Sequence, residues 1–124
     1  MMNKEELKTR TKKYVLNMLN FIEILPNNNV GWALKGQIVR SSTSVGANYR
    51  AVCRSKSDKD FISKMETVIE EADETLFWLE IIEESKILKN VPYNKIQELK
   101  NETNQLISIF VASVKTVKNR LNNS

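Results

Sequence analysis

The chain has 124 residues, 41% hydrophobic and 27% charged, with three glycines, two prolines and one cysteine. That is one domain, long enough to bury a core, too apolar for disorder and without a run that approaches a membrane span. The absence of histidine removes Ser-His and Cys-His nucleophile pairs, the commonest metal ligand and the Glu-x-x-His motif of two-metal bundles. Cys53 stands alone, so no internal disulfide can form. The Met-Met-Asn-Lys-Glu-Glu start has no apolar signal region, which makes a cytoplasmic location the expectation.

In chain order, the first predicted helix runs over about 3–25. Leu7, Thr11, Tyr14, Met18, Phe21 and Leu25 repeat at three and four residues, widened by Val15, Leu19 and Ile22. Pro26 and three asparagines end it. The second helix, about 30–54 with Asn29 as its cap, carries an apolar stripe of Leu34, Ile38, Val45, Tyr49 and Val52. Roughly opposite lie Gly36, Arg40, Thr43, Ala47, Arg50 and Arg54, and the two glycines, Gly36 and Gly46, read as sites of close helix contact. Ser41, Ser44 and Asn48 form a polar seam at the edge of the core, and the stripe keeps phase across the Ser-Ser-Thr-Ser run.

The third helix, about 58–86, opens on Ser57 and Asp60 in a capping-box pattern. Its core stripe is Phe61, Met65, Val68, Ala72, Leu76 and Leu79, while Phe77, Trp78 and Ile81 fall away from it beside Glu70 and Glu74. Large apolar groups on an outer face point to a subunit contact. A connection from about Lys86 to Val91 leads to the fourth helix, about 91–121, with Asn90 as the cap candidate and fraying expected from Asn122 to Ser124. Its stripe runs from Ile96 through Leu99, Thr103, Leu106, Phe110, Val114 and Val117 to Leu121. Four amphipathic helices with short connections give an all-α, up-down-up-down antiparallel four-helix bundle.

Net charge is +4 with a pI near 9.2, unevenly spread. No acid lies between Glu23 and Asp58, whereas the third helix is dominated by acids. Mutual pairing within or between subunits follows from such a pattern.

Arg40-Ser-Ser-Thr-Ser-Val-Gly-Ala-Asn-Tyr-Arg50, then Asp60-Phe61, then Glu71-Ala-Asp-Glu-Thr-Leu-Phe-Trp-Leu79 resemble the signature of the 23S rRNA intervening-sequence proteins. These bacterial four-helix bundles are similar to the accessory variability determinant proteins of diversity-generating retroelements. The match covers Arg40, Ser41, Ser44, Asn48, Arg50, Glu71, Glu74 and Trp78, strongly in the second and third helices and by length and pattern elsewhere. The resemblance implies a homopentameric barrel with a basic surface and, in the retroelement branch, binding to nucleic acid and to a reverse transcriptase. One position departs: many relatives carry a glutamate where this chain has Ala51, so any polar network using that acid is absent or rebuilt.

Three groups of residues carry the functional expectation. Lys8, Arg10, Lys12, Lys13, Arg54, Lys56, Lys115, Lys118 and Arg120 are candidate phosphate contacts. The two clusters at the chain ends meet at one end of an antiparallel bundle, and no aromatics interleave them, which favours binding of RNA or DNA without sequence preference. Arg40, Arg50, Glu70, Glu74, Phe77, Trp78 and Ile81 are candidate interface residues, with pairing of the arginines to acids of their own chain as the alternative. Ser41, Ser44, Asn48 and Glu71 are a candidate structural polar network. No catalytic group, metal or cofactor is expected, and no membrane. The expectation is a non-enzymatic, oligomeric, nucleic-acid-binding bundle, against a structural adaptor whose charges serve assembly alone.

Overall fold

The computed structural model describes residues 2–86 and 88–123. Ile87 in the third connection and Ser124 at the expected frayed end lie outside the described residues. Helix α1 spans Lys4–Ile22, α2 Asn29–Val52, α3 Asp58–Glu84 and α4 Tyr93–Asn122, with no strand among the described residues. Each helix packs on the next in sequence, and α4 returns to α1 to close a four-helix bundle at its thinnest seam.

The helix ends show how local chemistry sets the boundaries. Asn3 caps α1 by accepting from the Glu6 N–H at 2.8 Å. Its last turn tightens at Glu23, where the Ile24 and Leu25 amides bond back three residues rather than four, so the helix stops short of the expected Leu25 although Leu25 itself is buried. Asn28, not Asn29, caps α2 through the Gly31 N–H at 2.9 Å. At Gly31 a side chain has no room: a Cβ there would stand 1.8 Å from the Pro26 carbonyl oxygen. Gly36, by contrast, has nothing within 4 Å of a Cβ position, so it is not a close contact within the chain. Gly46 is one, facing Val15 of α1.

Ser57 caps α3 at 3.0 Å to the Asp60 N–H. Asp60 reaches back to the Lys56 N–H at 3.0 Å, one residue before the cap, so the reciprocal bond of a capping box is displaced by one position. Asn90 does not cap α4. It sits at φ 63, in the left-handed region that asparagine tolerates, and turns the chain into Pro92, which precedes Tyr93 without a side-chain cap.

The Ser-Ser-Thr-Ser run does not break α2. Ser42 and Thr43 donate to the carbonyls of Ile38 and Val39, four residues back, at 2.6 and 2.5 Å. The core follows the predicted stripes except that Phe61 and Leu121, at the basic end, are only half-buried and α3 shifts at one further position. Thr75 is fully buried where Leu76 was expected, and Leu76 is half-buried. Tyr49 of α2 and Phe110 of α4 stack across the bundle with ring centroids 5.8 Å apart.

Candidate nucleic-acid interface

Pairs of residues fix the relative level of the helices. Lys4 donates to the Cys53 carbonyl at 3.0 Å, Arg120 meets Asp58 at 2.8 Å and Lys100 meets Glu83 at 3.2 Å. The start of α1, the end of α2, the start of α3 and the end of α4 therefore share one end of the bundle. The half built from residues 4–13, 43–68 and 112–123 holds thirteen of the nineteen lysines and arginines, but five of the fifteen acids.

Within that half, α1 and α2 form a groove of about 680 Å³. Lys8 and Lys12 line one side, Arg50 and Arg54 the other, and Lys64 reaches it from α3; no acid lines it. Val15, Gly46, Ala47 and Ala51 make its floor. The small size of the three α2 residues follows from the α2 face read in sequence, where small residues alternate with arginines.

The predicted phosphate contacts divide by what already holds them. Lys12, Lys13, Arg54, Lys56 and Lys115 have no carboxylate within ion-pair distance among the described residues, and neither does Arg50. Lys8 meets the exposed Glu5 at 3.4 Å and Lys118 meets Glu66 at 3.3 Å, exposed pairs that exchange readily for another anion. Arg10 is different. Its guanidinium grips Glu102 of α4 at 2.9 and 2.5 Å and Gln105 at 2.9 Å, half-buried across the thin α1–α4 seam. This residue joins two helices, and it is committed to that task.

Interface candidates divide similarly. Arg40 pairs within its own chain, with Glu71 at 3.3 Å and with Glu74. The hydrogen bond from Arg40 holds the Glu74 carboxyl below its usual range, and the Trp78 indole also donates to Glu74, at 3.4 Å. Around this pair the surface is apolar: Phe77 is 49% exposed, Ile81 36% and Trp32 57%. Trp78 is half-buried and meets Phe77 edge-on at 5.0 Å. Trp32 was missed from sequence, though it stands one turn before Gly36 on the Arg40 face of α2. Arg50 is not brought to Glu70 or Glu74. Ten residues along α2, about 15 Å from Arg40, it lines the groove instead.

The expected polar network is also redistributed. Asn48 bonds its own helix at the Ser44 carbonyl, 2.8 Å, and the Glu71 carboxylate goes to Arg40. The buried hydroxyls instead draw one residue from each helix. Thr75 Oγ1 lies 2.8 Å from both Ser41 Oγ and the Glu71 carbonyl. Tyr14 donates to Thr103 at 2.7 Å, and Thr103 in turn donates to the Leu99 carbonyl at 2.6 Å. Among the described residues no buried side-chain polar atom lacks a partner.

Burial holds the Tyr14 phenol well above the ordinary tyrosine value of about 10, and burial does the same for Tyr49. The unfolded chain loses these protons first as pH rises through about 10, so stability is full below that value and falls above it. Tyr14→Phe should flatten part of that decline in pH-dependent thermal unfolding. At pH 7 it should cost only about 0.5–1.5 kcal/mol, because Thr103 keeps its backbone bond.

No group of His, Cys, Asp or Glu residues suited to a metal ion occurs among the described residues, and no described helix is long and apolar enough to cross a membrane. The model of the 23S rRNA-intervening sequence protein family matches residues 4–109. The chain belongs to that family. Among curated proteins no match is found. The crystal structure of a protein of unknown function from the S23 ribosomal protein family of Bacteroides thetaiotaomicron, at 1.70 Å resolution, superposes with a TM-score of 0.78 and 26% identity. The superposition covers 87% of this chain and 97% of that one. The matched span of this intervening-sequence family protein holds the whole floor of the groove and every interface candidate, while Lys115, Lys118 and Arg120 lie beyond it.

Proposed function

We propose that this protein is a non-enzymatic, oligomeric bundle that binds nucleic acid through phosphate contacts at its basic end. The observation that carries this reading is the groove edged by Lys8, Lys12, Arg50 and Arg54 with no acid in its lining. Lys12, Arg50 and Arg54 have no carboxylate partner among the described residues and Lys8 has only the exposed Glu5, so these cations are free to displace the counterions of a polyanion. The family's link to intervening sequences of ribosomal RNA supports RNA as the natural ligand, in a ribonucleoprotein or beside a reverse transcriptase in the cytoplasm. Binding measured by anisotropy between 50 and 300 mM salt tests it. Affinity should fall steeply, with a log–log slope of about −3 or steeper for four or more neutralised phosphates. Flat, negligible binding at low salt would remove the reading.

The second part of the proposal is self-association, and Trp32, Phe77 and Ile81 around the Arg40–Glu74 pair support it. An apolar centre with a charged surround is how subunit contacts are commonly built, and the family resemblance favours a ring of five. Phe77→Glu should dissociate the assembly to monomers in light scattering. An oligomer of unchanged mass would exclude this face. If assembly persists while nucleic-acid binding is absent, the protein is a structural adaptor instead.

A further inference from the structure

We infer that the groove between α1 and α2 takes a single nucleic-acid strand, phosphates inward and bases outward, and excludes a duplex. This rests on the nucleic-acid reading above and names the ligand of the same site. Lys8 and Lys12 stand one turn apart on α1, and opposite them lie Arg50 in the last turn of α2 and Arg54 just past its end, so two pairs of cations flank one furrow. Such pairs surround a charged backbone from both sides, where a flat basic patch would touch it from one.

Width decides between strand and duplex. Packed helices stand about 8–10 Å apart axis to axis, whereas the major groove of a duplex alone is about 12 Å wide. A duplex can rest on the rim but cannot enter. The floor is closed beneath the strand, because α1 and α2 approach so closely at Gly46 that a Cβ there would lie 2.7 Å from Val15 Cγ2.

The same lining explains why bases would face out. It contains no aromatic side chain on which a base could stack. Two of its hydroxyls are also occupied, Thr11 donating to the Lys8 carbonyl at 3.0 Å and Thr43 to the Val39 carbonyl at 2.5 Å. Charge and shape remain as the means of recognition, and neither depends on sequence.

The test fills the floor without changing a charge. Ala47→Leu with Ala51→Leu keeps good helix formers while occupying the furrow, and circular dichroism checks the fold. Binding of a labelled uridine 12-mer and of a 12-base-pair RNA duplex is then measured at 50 mM salt. The strand should bind the native protein at least tenfold tighter than the duplex, and the double variant should lose that preference through weaker strand binding alone. Equal affinity of the native protein for both, or strand binding unaltered by the leucines, overturns the inference and leaves the nucleic-acid reading standing. Failure of the native protein to bind either probe overturns both. Should the leucine variant not fold, Lys12→Gln with Arg50→Gln serves. It should reduce the salt slope for the strand by about 1.4 and that for the duplex by less, and equal reductions for both count against the inference.

Discussion

Reversing Arg50 and Arg54 together to glutamate is expected to weaken nucleic-acid binding by about a hundredfold or more. Each arginine is exposed and pairs with no carboxylate among the described residues. A phosphate contact worth about 1.4 kcal/mol is a factor of ten, so the loss of two gives a hundredfold before any repulsion from the new carboxylates. The salt slope should become shallower at the same time, since fewer counterions are released. Thermal stability should change little, because neither side chain spans two helices. The contrast is Arg10→Glu, which would break the grip on Glu102 at the α1–α4 seam and act first on folding. Anisotropy and thermal unfolding on the two variants separate these effects, and undiminished binding by the Arg50/Arg54 variant would place the ligand elsewhere.

Phe110→Ala should cost about 3–5 kcal/mol of stability. Phe110 is fully buried and stacks on Tyr49 at 5.8 Å, spanning the diagonal between α4 and α2. Its removal leaves a void that four backbones must shift to fill, and helices tied by the Tyr14–Thr103 hydroxyl bond and the Arg10 grip are not free to collapse into it. Urea unfolding should show a lower midpoint with an unchanged m-value. A loss under about 1 kcal/mol would mean that the core repacks far more readily than close packing allows.

The architecture was legible because each helix repeats its apolar residues over five or more turns, and a three-and-four period has few other solutions. Boundaries were less so. Whether Asn28 or Asn29 caps α2 depends on which amide the side chain reaches, and adjacent asparagines look alike in sequence. The hydroxyl chain was missed for a related reason. Thr75 sits between the predicted core positions Ala72 and Leu76, and only the packing of α2 against α3 shows that it, and not Leu76, turns inward toward Ser41. The candidate site was half visible. The basic clusters and the small-residue face of α2 were in plain view. That Arg50 lines the groove while Arg10 grips Glu102 becomes visible only once it is known which acids lie across each seam.

The segregation of cations to one end and acids toward the other makes the molecule an electric dipole along its length. Such a particle does not collide at random with a polyanion. The field turns it during approach, so that productive encounters arrive end-on and the association rate, rather than the dissociation rate, carries most of the sensitivity to ionic strength. For the proposed nucleic-acid ligand, capture speed should then follow how charge is distributed along the bundle, and moving one lysine from the basic end to the acidic end should slow it without altering composition at all.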